Sequence, residues 1–319
     1  GRSAAEDGGA PSPSPRLQLD LHVGVLHFTP TLEPFPLVAD FSAYDPNTID
    51  ISEDEEERLY WLAILEESIP TYVRKAVLSD GGTAGAQRRG DAFGKAFSGH
   101  LAKLREEPSA YGRVGLADLL EMREECLREF SFMDAYKLDK VRENGVALEV
   151  LPDLLAELDG MEPRDRLLAL IAGVLAANIF DWGAKACVDL YNNGTILEIY
   201  RKAKTDMSRR PWRVDTFDGL AEHWFRGRAG PQGQQLPSFA RVVMFVDNAG
   251  ADAVLGMLPL ARELLRNGSE VVMVANSQPA INDLTTSELR SLVRKAATIC
   301  PIIAAAREAA NRATAANDS

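Results

Sequence analysis

An acid and an amide stand together where an apolar run stops: RVVMFV ends in Asp247-Asn248-Ala249-Gly250. A second run, EVVMVA, ends in Asn276, with Asn282-Asp283 shortly beyond. If the two runs are adjacent parallel strands, two carboxylates and two amides meet at their carboxyl ends, where open α/β sheets bind ligands. This set offers only oxygen. It suits a hard divalent cation, held by one or two carboxylates and completed by water and substrate phosphate. Gly250 and Ala251 open the next helix, whose free N–H groups and dipole favour an anion. A cation beside an anion cradle points to phosphoryl chemistry. A second reading stays open, in which Asp247 caps that helix and Asp283 belongs to the loop before Thr285.

Another polar pair interrupts an apolar stretch. Asn178 and Asp181 are three apart, on one helix face. Either Asp181 pairs with Lys185, or this face lines the crevice and contacts substrate or metal-bound water. Lys140, Arg142, Glu143 and Asn144 in DKVRENGVAL are candidates to reach the site from a loop. His22, His27, His100 and His223 lack ligand spacing. There is no GxGxxG, no P-loop, no GxSxG and no DxD after the first strand. The three cysteines are widely spaced, which suits buried thiols in a reducing compartment. A net charge of −12 disfavours a nucleic-acid partner. No run approaches the length of a membrane span, so the expected location is cytoplasmic.

The elements that must position these residues differ along the chain. Residues 1–16 are polar and Pro/Ser-rich, a flexible linker. The absence of an initiator Met suggests a piece of a longer chain. LQLDLHVGVLHF has the alternation of a short strand or extended arm. Residues 17–205 are mostly helical, with Ser52 expected as an N-cap before Glu53–Glu57 and Pro163 opening a buried helix. Residues 206–290 form an α/β domain. Its GRAGPQGQQLPSFA segment is a loop, 240–246 and 270–275 are strands, and 252–266 is the crossover helix. Thr285 and Glu288 have capping-box spacing. Residues 291–319 are an Ala-rich tail.

FVDNAGADAVLGMLPLARELLRNGSEVVMVANSQPAINDLT resembles the signature of the DUF89 family of metal-dependent damage-control phosphatases. It is nearest to the branch with the C-terminal domain of pantothenate kinase 4 and its stand-alone plant relatives. YDPNTIDISEDEEERLYWL, REECLREFSFMDAYKLDKVRENGVALEVLPDLLAELD, LLALIAGVLAANIFDWGAKA and RRPWRVD agree. The resemblance implies an α+α/β fold: a helical N-terminal domain packed on a Rossmann-like parallel-sheet domain. It implies a divalent metal (Mn²⁺, Mg²⁺, Co²⁺ or Ni²⁺) on Asp247, Asn248 and Asp283, with Asp247 and Asp283 catalytic. Asn178, Asp181, Gly250 and Asn276 become substrate-binding candidates. The implied activity is hydrolysis of phosphate monoesters, with 4′-phosphopantetheine or its damaged forms as substrate. The parent chain would carry an upstream pantothenate-kinase-like domain.

Two departures qualify this resemblance. Ala177 stands where the family usually has Gly. The last thirty or so residues do not follow the family's further strands, its glycine-rich acidic motif or its phosphate-binding lysine, so the α/β domain reads as C-terminally truncated. The alternative function is a catalytically impaired binding or regulatory module that lacks the phosphate-binding part.

Overall fold

The computed structural model describes residues 40, 43, 49–178 and 196–317. The described chain is mostly helical, with two small sheets. By compactness it divides between Phe132 and Met133. The N-terminal linker, the 17–28 arm, Asp181, Trp182, Lys185 and Cys187 lie outside the described residues.

Among the described residues, the first unit holds three helices, α1 (Glu55–Ser79), α2 (Ala84–Glu106) and α3 (Leu116–Glu129). Asp54, not Ser52, is the N-cap of α1; its side chain accepts from Glu57 N at 2.9 Å. Ser52 instead donates to Asp50, because the turn before the helix already uses its hydroxyl. Glu55, Glu56 and Glu57 fill the first turn, where they complement the helix dipole. Gly90 and Gly94 of α2 let Val73, Val77 and Ile69 of α1 come close. Phe93 and Phe97 stack beside them with centroids 6.0 Å apart.

The second unit contains α4 (Lys137–Asp159), α5 (Pro163–Ala177), α6 (Ile196–Met207) and α7 (Phe217–Arg226). The segment read as a loop holds a small hairpin, β1 (Arg228–Ala229) with β2 (Gln235–Leu236), because Gly230 and Gly233 close a turn between them. β3 (Arg241–Phe245) follows. Next come a π-helical turn (Asp252–Met257), α8 (Leu258–Arg266), β4 (Glu270–Val274), α9 (Thr286–Ile299) and α10 (Pro301–Asn317). The change of sequence texture near 205 falls inside this unit. Leu151 and Leu155 of α4, Leu170 and Ala176 of α5, and Val254 and Leu258 share one core with Leu292 and Ile303.

β3 and β4 pair in parallel, Arg241 opposite Glu270 through Phe245 opposite Val274. The crossover runs through the π turn and α8, and Met244 packs on Ala261 and Leu264. One face of the pair is therefore covered, while Phe245 and Val272 of the other are exposed. Pro163 opens α5 as expected, where its missing N–H costs nothing. The π turn needs support, since its wider winding disturbs the regular ladder. Tyr200 of α6 donates to Leu255 O at 3.1 Å within it. Arg210, from the RRPWRVD motif, grips Asp215 with two 2.7 Å bonds, a structural clasp ahead of α7.

Candidate active site

The site grows from the way β3 ends. After Val246 the chain has no further partner in β4, and residues 282–286 take that place. Leu284 N donates to Asp247 O at 2.6 Å and Ala249 N to Asn282 O at 2.9 Å. On the other side Asn276 N donates to Leu284 O and Thr286 N to Asn276 O. Asn248 and Asp283 thus form a bridge, as do Asn276 and Thr285. Backbone bonds alone bring Asp247, Asn248, Asn276 and Asp283 to one end of the parallel pair.

Their side chains are arranged in turn. Asp247 is exposed; its Oδ1 accepts from Asn248 N at 2.7 Å and Asn248 Nδ2 at 3.2 Å. Asp247 therefore folds onto its neighbour. The Asn248 amide nitrogen is thereby engaged, which leaves its carbonyl oxygen Oδ1 buried with no hydrogen-bond partner among the described residues. A buried polar atom without a partner is costly, so this oxygen calls for an electrophile. Asn276 Nδ2 donates to Asp283 Oδ2 at 2.9 Å and steadies that carboxylate. Among the described residues no three His, Cys, Asp or Glu side chains gather as a metal cluster. A cation here would rest on amide as well as carboxylate oxygen, which suits a hard ion.

Gly250 lies just beyond, with φ of 78°. Its N–H donates to Asn144 Oδ1 at 2.8 Å, so it is not among the free donors expected of an anion cradle. Lys140, Glu143 and Asn144 lie on helix α4, not on a loop. The signal was the 140/143/144 spacing, which puts all three on one helical face; Gly145 beside them obscured it. Lys140 is fully buried. It pairs with Asp134 Oδ2 at 2.8 Å and donates to Glu288 Oε2 at 2.9 Å and Asp283 O at 3.2 Å. Burial pushes the Asp134 carboxyl up, and Lys140 pulls it back. Arg142 pairs instead with Asp139 at 2.8 Å.

Thr285 and Glu288 form the expected capping box at the start of α9. Asn178 sits exposed at the C-terminal cap of α5, and Ala177 before it packs against Gly256 in the π turn. No bond joins Asn178 to Asp247 or Asp283 in the described structure. Asp252, buried in the first turn after Gly250, and fully buried Asn282 are neighbours that the sequence reading did not single out as site residues.

A family model described as the damage-control phosphatase ARMT1-like domain matches residues 64–314. The chain belongs to this family. A plant relative from Arabidopsis thaliana, called pantothenate kinase 2, is 60% identical over 90% of this chain and 31% of its own length. The mouse protein called 4′-phosphopantetheine phosphatase is 38% identical over 85% of this chain and 32% of its own. The chain thus spans about a third of the length of these relatives. A solved DUF89 family protein from Pyrococcus horikoshii is 14% identical with a TM-score of 0.46, covering 73% of this chain and 68% of that one. No helix among the described residues is long and apolar enough to cross a membrane.

Proposed function

We propose that this damage-control phosphatase domain is a metal-dependent phosphomonoesterase acting on 4′-phosphopantetheine or its damaged forms. The observation that carries the reading is the bridge setting Asn248, with its unpartnered buried oxygen, against Asp283. The substrate assignment is supported by the mouse relative's name. Asp247, Asn248 and Asp283 would hold the cation, one of Mn²⁺, Mg²⁺, Co²⁺ or Ni²⁺. When bound, such an ion polarises phosphoryl oxygen and lowers the pKa of a coordinated water.

The chain's own groups supply the rest. Asn248 presents a neutral oxygen, so the site gains a ligand without a further negative charge facing the phosphate. Asn276 orients Asp283 through its Nδ2 bond. Asp247 and Asn276 are exposed, so a water-borne substrate can reach them. Asn178 and Asp181 would contact the substrate beyond the phosphate. The parallel pair with its crossover would be the start of a Rossmann-like sheet. In the parent protein the domain would follow a pantothenate-kinase-like region, which the long plant relative supports.

The test is phosphate release from 4′-phosphopantetheine with each cation. Metal-dependent turnover, lost in Asp247→Ala and Asp283→Ala, is the expected result. A folded, cation-binding protein that releases no phosphate would sink the reading and favour an impaired binding module.

A further inference from the structure

Helix α4 touches both loops that carry the proposed ligands, and it does so from one face. Asn144 Oδ1 takes the Gly250 N–H, two residues beyond Asn248. Lys140, one turn earlier, holds the Asp283 carbonyl and Glu288, which caps α9. We infer that Lys140 and Asn144 are positioning residues that clamp the 247–250 and 282–288 loops against each other and so set the ligand geometry of the site.

The chemistry of Lys140 excludes a direct role on phosphate. An ammonium has three protons, and Asp134, Glu288 and the Asp283 carbonyl account for three acceptors. A fully buried lysine with two carboxylate partners is locked in place. Its buried charge is compensated, and loss of the lysine would strand two acids. Asn144 works without charge. It is the acceptor for an N–H at a residue of positive φ, where the loop turns from strand end to π helix. Both residues act through others: neither donates a ligand, and each fixes the backbone next to one.

The inference rests on the metal-site reading for its functional consequence, but not for its structural part. Two measurements keep these apart. In Asn144→Ala, amide hydrogen exchange is followed at Ala249 and Leu284, whose N–H groups donate across the loops to Asn282 O and Asp247 O and not to Asn144. Faster exchange at both is expected; unchanged exchange overturns the clamp whatever the metal does. Mn²⁺ affinity is then measured by titration for the wild type, Asn144→Ala, Lys140→Met, Lys140→Arg and, as a control on the exposed side of the same helix, Leu138→Ala. Groups that orient ligands typically change metal affinity about 10- to 100-fold when removed. A loss of that size is expected for Asn144→Ala and Lys140→Met, part of it restored in Lys140→Arg, with none for Leu138→Ala. At saturating Mn²⁺ the KM for 4′-phosphopantetheine should stay near wild type while kcat falls. Wild-type affinity in a folded Asn144→Ala overturns the inference. A wild type that binds no Mn²⁺ overturns the metal reading and leaves the clamp to the exchange result.

Discussion

Replacing Gly250 by alanine tests the corner on which the site turns. Two costs arise at once. The φ of 78° lies in the left-handed region, where a side chain costs roughly 1–2 kcal/mol. The new Cβ would lie 2.8 Å from Glu143 Cβ and 3.4 Å from Glu143 Oε2. Glu143 belongs to α4, so its Cβ cannot rotate away; the helix or the loop must move. Overpacking of this kind costs about 1–3 kcal/mol, and with the backbone term Gly250→Ala should destabilise the second unit by about 2–5 kcal/mol. Any relief that parts α4 from the loop also stretches the 2.8 Å bond from Gly250 to Asn144. The assay is hydrogen exchange across a urea series, read on peptides spanning 241–266, so that the first unit does not contribute. Glu143→Gly closes a double-mutant cycle, because it removes the clash and leaves the φ cost. A Gly250→Ala variant within about 0.5 kcal/mol of wild type, the range of neutral surface changes, would refute the reasoning. So would a cycle with no coupling.

In the first unit, a Cβ at Gly90 would meet Val77 Cγ2 at 2.7 Å. Gly90→Ala should lose about 1–3 kcal/mol, and Val77→Ala on top of it should recover part in urea unfolding. Arg262, followed by Arg266, holds the Asp159 carboxyl down from its ordinary 3.8 to about 2. A depressed pKa adds stability that is complete above the unfolded value and lost as pH falls through the folded one. Acid titration of the second unit should therefore show a loss between pH 3.8 and about 2, absent in Asp159→Asn. Burial pushes the Cys126 thiol up to about 12. In a Cys187→Ser variant, peptide mapping should find Cys126 unmodified by thiol reagents at pH 8 until the chain is unfolded.

The strand–crossover–strand unit was legible because its signals are local. The β-branched runs, the helical stripe with Gly268 behind it, and the Thr285–Glu288 spacing each state one element. Parallel pairing put Asp247 and Asn248 at the same end as Asn276, whereas Asp283 is brought there by the 282–286 segment. Two features were not legible. The wedge of 282–286 between the strand ends is made by backbone bonds, which no side-chain pattern records. The role of α4 depends on a contact across 148 positions, Lys140 with Glu288. The sequence offers Lys140 as a candidate but places it on a loop; its complete burial and its partner Glu288 show only in the structure. The Ser52 expectation failed for a local reason, since Asp54 competes for the same helix start and wins.

Glu288 serves two masters: it completes the cap of α9, and it neutralises Lys140. This has a consequence for the order in which the chain is made. When Lys140 leaves the ribosome, Asp134 is already present, but Glu288 will not follow until 148 more residues have been joined. Until then, burying the ammonium would leave it with Asp134 alone of its three acceptors, and water serves it better. Helix α4 should therefore wait, undocked, through most of the synthesis of the second unit. The arrival of α9 would then close the late step and complete the site in one movement.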